Sequence, residues 1–182
     1  MEKKFWKGLL LIGIAMHVLA AMLMPLGLDA HIHATYVSDG MDDDEAHLEW
    51  GPVRPDSPDG STPKEMPADG KWFAWHLIIE MWFTIFSPSA STLHVLGLIG
   101  GLGCLATIFL LTRDLFDSEQ ALRLTALASV YQPLMRATGR FYQESIILML
   151  VAFSTYCIIK ALRDKKPINS WLLPPIICAM II

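Results

Sequence analysis

Charge is scarce in this sequence. Only 18% of the 182 residues are Asp, Glu, Lys or Arg, 53% are apolar, and the mean hydropathy is +0.43. That balance excludes a disordered tail and a basic nucleic-acid-binding module, and it is too apolar for an ordinary soluble domain. Cysteine is scarce as well. Cys104, Cys157 and Cys178 lie inside apolar stretches with no CxxC or CxH spacing, which excludes a disulfide-stapled miniprotein and indicates no zinc site. A P-loop, a GxSxG elbow and a GxGxxG turn before a helix are also missing.

What charge there is falls unevenly. Asp29 to Lys71 holds eleven acidic and three basic residues, while the remainder is net basic. A basic, apolar frame around one acidic block describes an all-α, polytopic transmembrane helix bundle with one large outer loop. The first apolar run, 8–28, follows Lys3, Lys4 and Lys7 and is too long for the core of a cleaved signal, so an uncleaved anchor is expected. The loop 29–71 carries five prolines between Pro52 and Pro67 and should be irregular. The stretch 72–86 is short for a span, and His76, Glu80 and Thr84 form a polar stripe along it. An amphipathic helix on the membrane surface fits that pattern. Further spans are expected over 91–112, 119–136, 141–162 and from 171 onward. Because the last run is still apolar at Ile182, the chain is expected to be the N-terminal piece of a longer protein.

Charge fixes the expected orientation. If 72–86 does not span, Arg113 and the Lys160–Lys166 cluster share the cytoplasmic side with the N-terminus, as the positive-inside rule requires. Residues 29–86 and the turn Gln132–Glu144 then share the outer face. Asp29, the first residue beyond the anchor, is placed to act as a general base at the bilayer rim. Arg136, Arg140 and Glu144 are four apart and would share a face if the segment were one helix. Two arginines on the outer side call for an anionic partner, and guanidinium groups suit phosphate oxygens; the competing reading has them neutralised by Glu144 and lipid headgroups. His31 and His33 are the residues a divalent cation would use, although their spacing specifies no metal and the nearby acidic run is not an EF-hand. His17 and His94 read as helix–helix contacts.

The order of these parts resembles the N-terminal region of GT-C membrane glycosyltransferases, such as protein O-mannosyltransferases and aminoarabinose transferases. The stretches that carry the likeness are Leu28-Asp29-Ala30-His31-Ile32-His33-Ala34-Thr35-Tyr36, Trp75-His76-Leu77-Ile78-Ile79-Glu80, Thr112-Arg113-Asp114-Leu115-Phe116 and Gln132 to Tyr142. The resemblance implies a polyprenyl-phosphate sugar donor and transfer to a protein or lipid acceptor on the outer face. It also implies that Asp29 activates the acceptor, with Arg136, Arg140 and Tyr142 near the donor phosphate and His76 and Glu144 lining the substrate site. Ala30 stands where many members carry a second acid, and the usual double proline after His76 is absent. The reading from another class is a non-enzymatic transporter or assembly subunit whose acidic loop binds cations.

Overall fold

The computed structural model describes residues 2–27 and 73–164. Asp29, His31, His33, the loop 29–71 and the final apolar segment lie outside the described residues. Six helices follow in order: α1 (Glu2–Leu23), α2 (Phe73–Ile85), α3 (Ala90–Leu115), α4 (Ser118–Ser129), α5 (Gln132–Gly139) and α6 (Gln143–Arg163). Among the described residues there is no strand, so the all-α expectation holds.

Local chemistry sets the helix ends. α1 begins six residues before the apolar run, because Glu2, Lys3, Lys4 and Lys7 are good helix formers that extend it into solvent. It stops at Leu23, just ahead of Met24 and Pro25, because proline disfavours helical backbone in the residue before it. Ser89 caps α3 by accepting from the Thr92 N–H at 3.2 Å. Asp117 caps α4 by accepting from the N–H groups of Glu119 and Gln120 at 2.7 and 2.8 Å.

Helices α1, α3 and α6 have 22, 26 and 21 residues and are long and apolar enough to cross a membrane. At about 1.5 Å per residue each exceeds the roughly 30 Å hydrocarbon core. The expected single span over 119–136 is two helices instead. Pro133 lies in the first turn of α5, where its missing N–H costs least, and the chain breaks at Val130 and Tyr131. Three-residue bonds, Val130 N–H to Leu127 O and Tyr131 N–H to Ala128 O, tighten the end of α4. End to end, α4 and α5 run beside α1. Arg123 pairs with Glu2 at 2.9 Å near one end, and Gly139 lies against Ala20 and Met24 near the other.

Packing is by small residues. Gly13, His17, Ala20 and Ala21 are the buried positions of α1, whereas Leu11, Ile12, Met16 and Leu19 point outward. Large apolar side chains outside and small or polar ones inside is the arrangement of helices surrounded by lipid, where close backbone approach rather than water exclusion drives association. A Cβ on Gly101 would overlap the Thr138 side chain, and one on Gly139 would come within 2.8 Å of Ala20 Cβ.

α2 lies at the end of the bundle where α1 finishes. Its Ile79 and Phe83 are buried with Leu93, Leu96, Phe141 and Ile146, with Leu26 packed alongside. Trp82 Nε1 donates to the Thr92 carbonyl at 2.9 Å, fastening α2 to the start of α3. Glu80 and Thr84 are exposed on one flank, and Leu77, Met81 and Ile85 on another. A helix with a packed face, a polar face and an uncovered apolar face suits a membrane–water boundary.

Phe141, between α5 and α6, has φ 52°, in the left-handed region, and is fully buried. A side chain there costs roughly 1–2 kcal/mol, so packing in the α2–α3 cluster must hold it. Two variants separate the terms. Phe141→Ala and Phe141→Gly should both lower unfolding stability in detergent, but the glycine variant should be the more stable by about 1 kcal/mol, inverting the usual order. An alanine variant at or above the glycine variant would show that the left-handed backbone is not strained.

Candidate functional site at the α5–α6 corner

The corner is built from the end of α5. Arg140 N–H donates to the Arg136 carbonyl at 3.1 Å, and Tyr142 N–H reaches back to the Ala137 carbonyl at 2.9 Å. That closing bond, with Phe141 left-handed, is a helix-ending loop in which phenylalanine occupies the position glycine normally takes. Gly139, which the sequence offers as the breaker, is the last residue of α5 and serves the contact with Ala20 instead. α6 then starts at once, with Ser145 N–H and Ser145 Oγ both donating to the Tyr142 carbonyl at 3.0 Å.

The end of α1 is drawn to this corner. Gly27 N–H donates to the Arg140 carbonyl at 2.9 Å, and the Tyr142 ring lies across Gly27 so closely that a Cβ there would overlap it. Asp29 follows two residues later in the sequence and lies outside the described residues. Arg136 and Glu144 are exposed, while Arg140 and Tyr142 are half-buried. Because the chain reverses at Phe141, Arg136 and Glu144 fall on different helices, and the continuous face expected for Arg136, Arg140 and Glu144 does not form. Among the described residues none of the three makes an ion pair; those present are Arg113–Asp114, Arg123–Glu2 and Arg123–Glu119. The Glu144 part of the competing reading therefore finds no contact among the described residues. His76 belongs to the first turn of α2, and its side chain lies outside the described set.

Two residues of the corner were not singled out from the sequence as binding candidates. His94, in the second turn of α3, faces the Gly139 backbone, and its Nδ1 is buried with no hydrogen-bond partner among the described residues. Gln143 Oε1 and Arg140 Nε are likewise buried without partners. Gln143 was within reach of sequence reasoning, since it lies in the polar island Gln132–Glu144. His94 was not, because nothing in its own segment shows that α3 starts beside the corner. Buried polar groups are normally paired, but atoms of this kind also occur along the rest of the bundle, at Trp6 Nε1, His17 Nε2 and Ser154 Oγ, so these three do not by themselves mark a site. Among the described residues no group of three or more His, Cys, Asp or Glu could hold a metal ion.

The opposite end of the bundle is basic. Lys3, Lys4, Lys7, Arg113, Arg123, Lys160 and Arg163 lie there, with Arg163 Nη1 donating to the Asp114 carbonyl at 2.9 Å. Three helices long and apolar enough to cross a membrane are what an integral membrane protein shows. A family model described as dolichyl-phosphate-mannose-protein mannosyltransferase matches residues 72–182. The match covers more than half of the chain, and the chain belongs to this family of membrane glycosyltransferases. No curated protein and no solved structure matches. The matched stretch takes in the corner, α2 and α3, whereas α1 and Asp29 precede it.

The absent Arg140–Glu144 contact can be measured. In a double-mutant cycle of Arg140→Ala and Glu144→Ala, the coupling in unfolding free energy should stay below about 0.5 kcal/mol, as for residues that share no contact. A coupling above about 1 kcal/mol would restore the ion pair.

Proposed function

We propose that this chain transfers a sugar from a polyprenyl-phosphate carrier to a protein or lipid acceptor at the outer membrane face, with the α5–α6 corner receiving the donor phosphate. Family membership supports the donor and reaction class. The observation that carries the assignment of residues is the Gly27–Arg140 hydrogen bond. It holds the end of α1 beside the two half-buried residues best suited to a phosphate, and two peptide links from Gly27 to Asp29 reach at most about 7 Å.

The chemistry assigns each group a task. An acceptor hydroxyl attacks the anomeric carbon, the bond from that carbon to the phosphate oxygen breaks, and the phosphate leaves carrying the electron pair. Asp29 takes the hydroxyl proton as general base. Arg140, with Arg136 at the exposed edge, stabilises charge on the departing phosphate, where a guanidinium can make two parallel hydrogen bonds. Tyr142 supplies a hydroxyl beside the Arg140 backbone, and His76 and Glu144 border the sugar or acceptor. The clustering of seven basic residues at the far end supports a cytoplasmic N-terminus, which turns the corner and the loop 29–71 outward.

The roles separate kinetically. Asp29→Asn should reduce turnover by about 100-fold or more while leaving donor affinity nearly unchanged. Arg140→Ala should weaken donor binding by about 1.5–3 kcal/mol, the scale of a charged hydrogen bond. Arg140→Lys should recover only part, since an ammonium lacks the planar fork. Normal turnover in the Asp29 variant would return that carboxylate to a helix-end role, and unchanged donor affinity in Arg140→Ala would remove the corner from the site.

A further inference from the structure

His17 is fully buried, about two thirds of the way along α1. Its Nδ1 is 3.1 Å from Thr138 Oγ1. The Thr138 hydroxyl donates to the Leu134 carbonyl at 2.8 Å, so its oxygen is left to accept and the proton of the shared bond belongs to His17 Nδ1. The ring also lies beside the Ser129 backbone, at the break between α4 and α5. Thr138 is fully buried and immediately precedes Gly139 and Arg140.

A polar bond in this position links three features. It joins α1 to α5 across the stretch where the continuous helix has been interrupted. It lies one turn from the Ala20–Gly139 contact, and it is followed outward by the Gly27–Arg140 bond. Gly27, two residues before Asp29 in the sequence, follows α1, while Arg140 and Tyr142 follow α5, so the register of these two helices bears on how the candidate base meets the candidate phosphate ligand. We propose that His17 and Thr138 are a positioning pair. Their hydrogen bond fixes α1 against the broken helix and thereby aligns acceptor activation with the donor phosphate. Resting on the proposed transferase reading for its catalytic consequence, this assigns a role to a histidine that touches no substrate.

The chemistry of the pair selects the variants. An asparagine amide nitrogen can take the place of Nδ1–H, and serine keeps the hydroxyl, whereas His17→Leu and Thr138→Val remove the bond at similar volume. Misalignment of a reacting pair is felt in turnover more than in ground-state binding. In the complete protein, supplied with dolichyl-phosphate mannose, His17→Leu and Thr138→Val should each lower kcat by about tenfold or more with donor affinity held within about twofold. The double variant should be no worse than either single one, and His17→Asn and Thr138→Ser should recover most of the loss.

A second readout needs no activity. In a Gly27→Cys/Tyr142→Cys background, disulfide formation across the corner should slow by about tenfold when Thr138→Val is added, if the pair sets the helix register. Unchanged cross-linking overturns the positioning role, whatever the enzyme's activity. Slower cross-linking alongside a wild-type protein without transfer would keep the pair and remove the transferase reading. Loss of kcat and donor affinity together, in step with melting temperature, would make the pair a stabilising contact only and overturn the proposal.

Discussion

The hydrogen bond from Gly27 N–H to the Arg140 carbonyl joins two segments far apart in sequence at the rim of the bundle. Without it, the chain leaving α1 and the chain turning from α5 into α6 would have no stated relation. With it, Gly27 lies beside the segment that carries Arg136 and Arg140, the two arginines at that end of the described bundle. The rest of the fold serves this meeting. α3 and α6 run one way and α1 with α4–α5 the other, so α1 and α5 finish together where α3 and α6 begin. α2 then covers the corner from the side with Ile79 and Phe83.

Helices in lipid gain nothing from excluding water, so their association depends on contact distance and on polar groups that have no better partner. Both appear along α1. Gly13, Ala20 and Ala21 let α4 and α5 approach, and His17 supplies the buried hydrogen bond. Glycine is placed where backbones meet rather than where the chain turns. That leaves Phe141 to adopt the left-handed conformation, at a cost offset by its burial among Ile79, Phe83, Leu93, Leu96 and Ile146. The strain sits between Arg140 and Tyr142, two of the candidate site residues.

Run length and charge made the helical spans legible, because a stretch of apolar residues flanked by lysine leaves few alternatives. The helix over 73–85, with Glu80 and Thr84 on an exposed polar flank, was legible as a polar stripe on an apolar segment. The division of 119–136 was not legible. Pro133 is compatible with either a kink or a fresh start, and only packing against α1 decides between them. The face expected for Arg136, Arg140 and Glu144 failed for a related reason. A left-handed phenylalanine is rare, and no local rule anticipates one when a glycine stands two residues earlier. His94 emerges only in three dimensions, where the start of α3 meets the end of α5. Arg140 and Tyr142 stand out in the sequence as candidates because their polarity contradicts the surrounding apolar run.

The assignment of the donor phosphate to the α5–α6 corner is tested most directly by photo-cross-linking. A polyprenyl-phosphate sugar bearing a photoreactive group next to the phosphate would be irradiated with the complete protein in liposomes, and the adducts mapped by mass spectrometry. Labelling within Arg136–Gln143, competed away by unmodified donor and lost in Arg140→Ala, is the expected result. Competed labelling confined to the basic end, around Arg113 and Lys160–Arg163, would contradict it and move the reaction to the opposite face of the membrane.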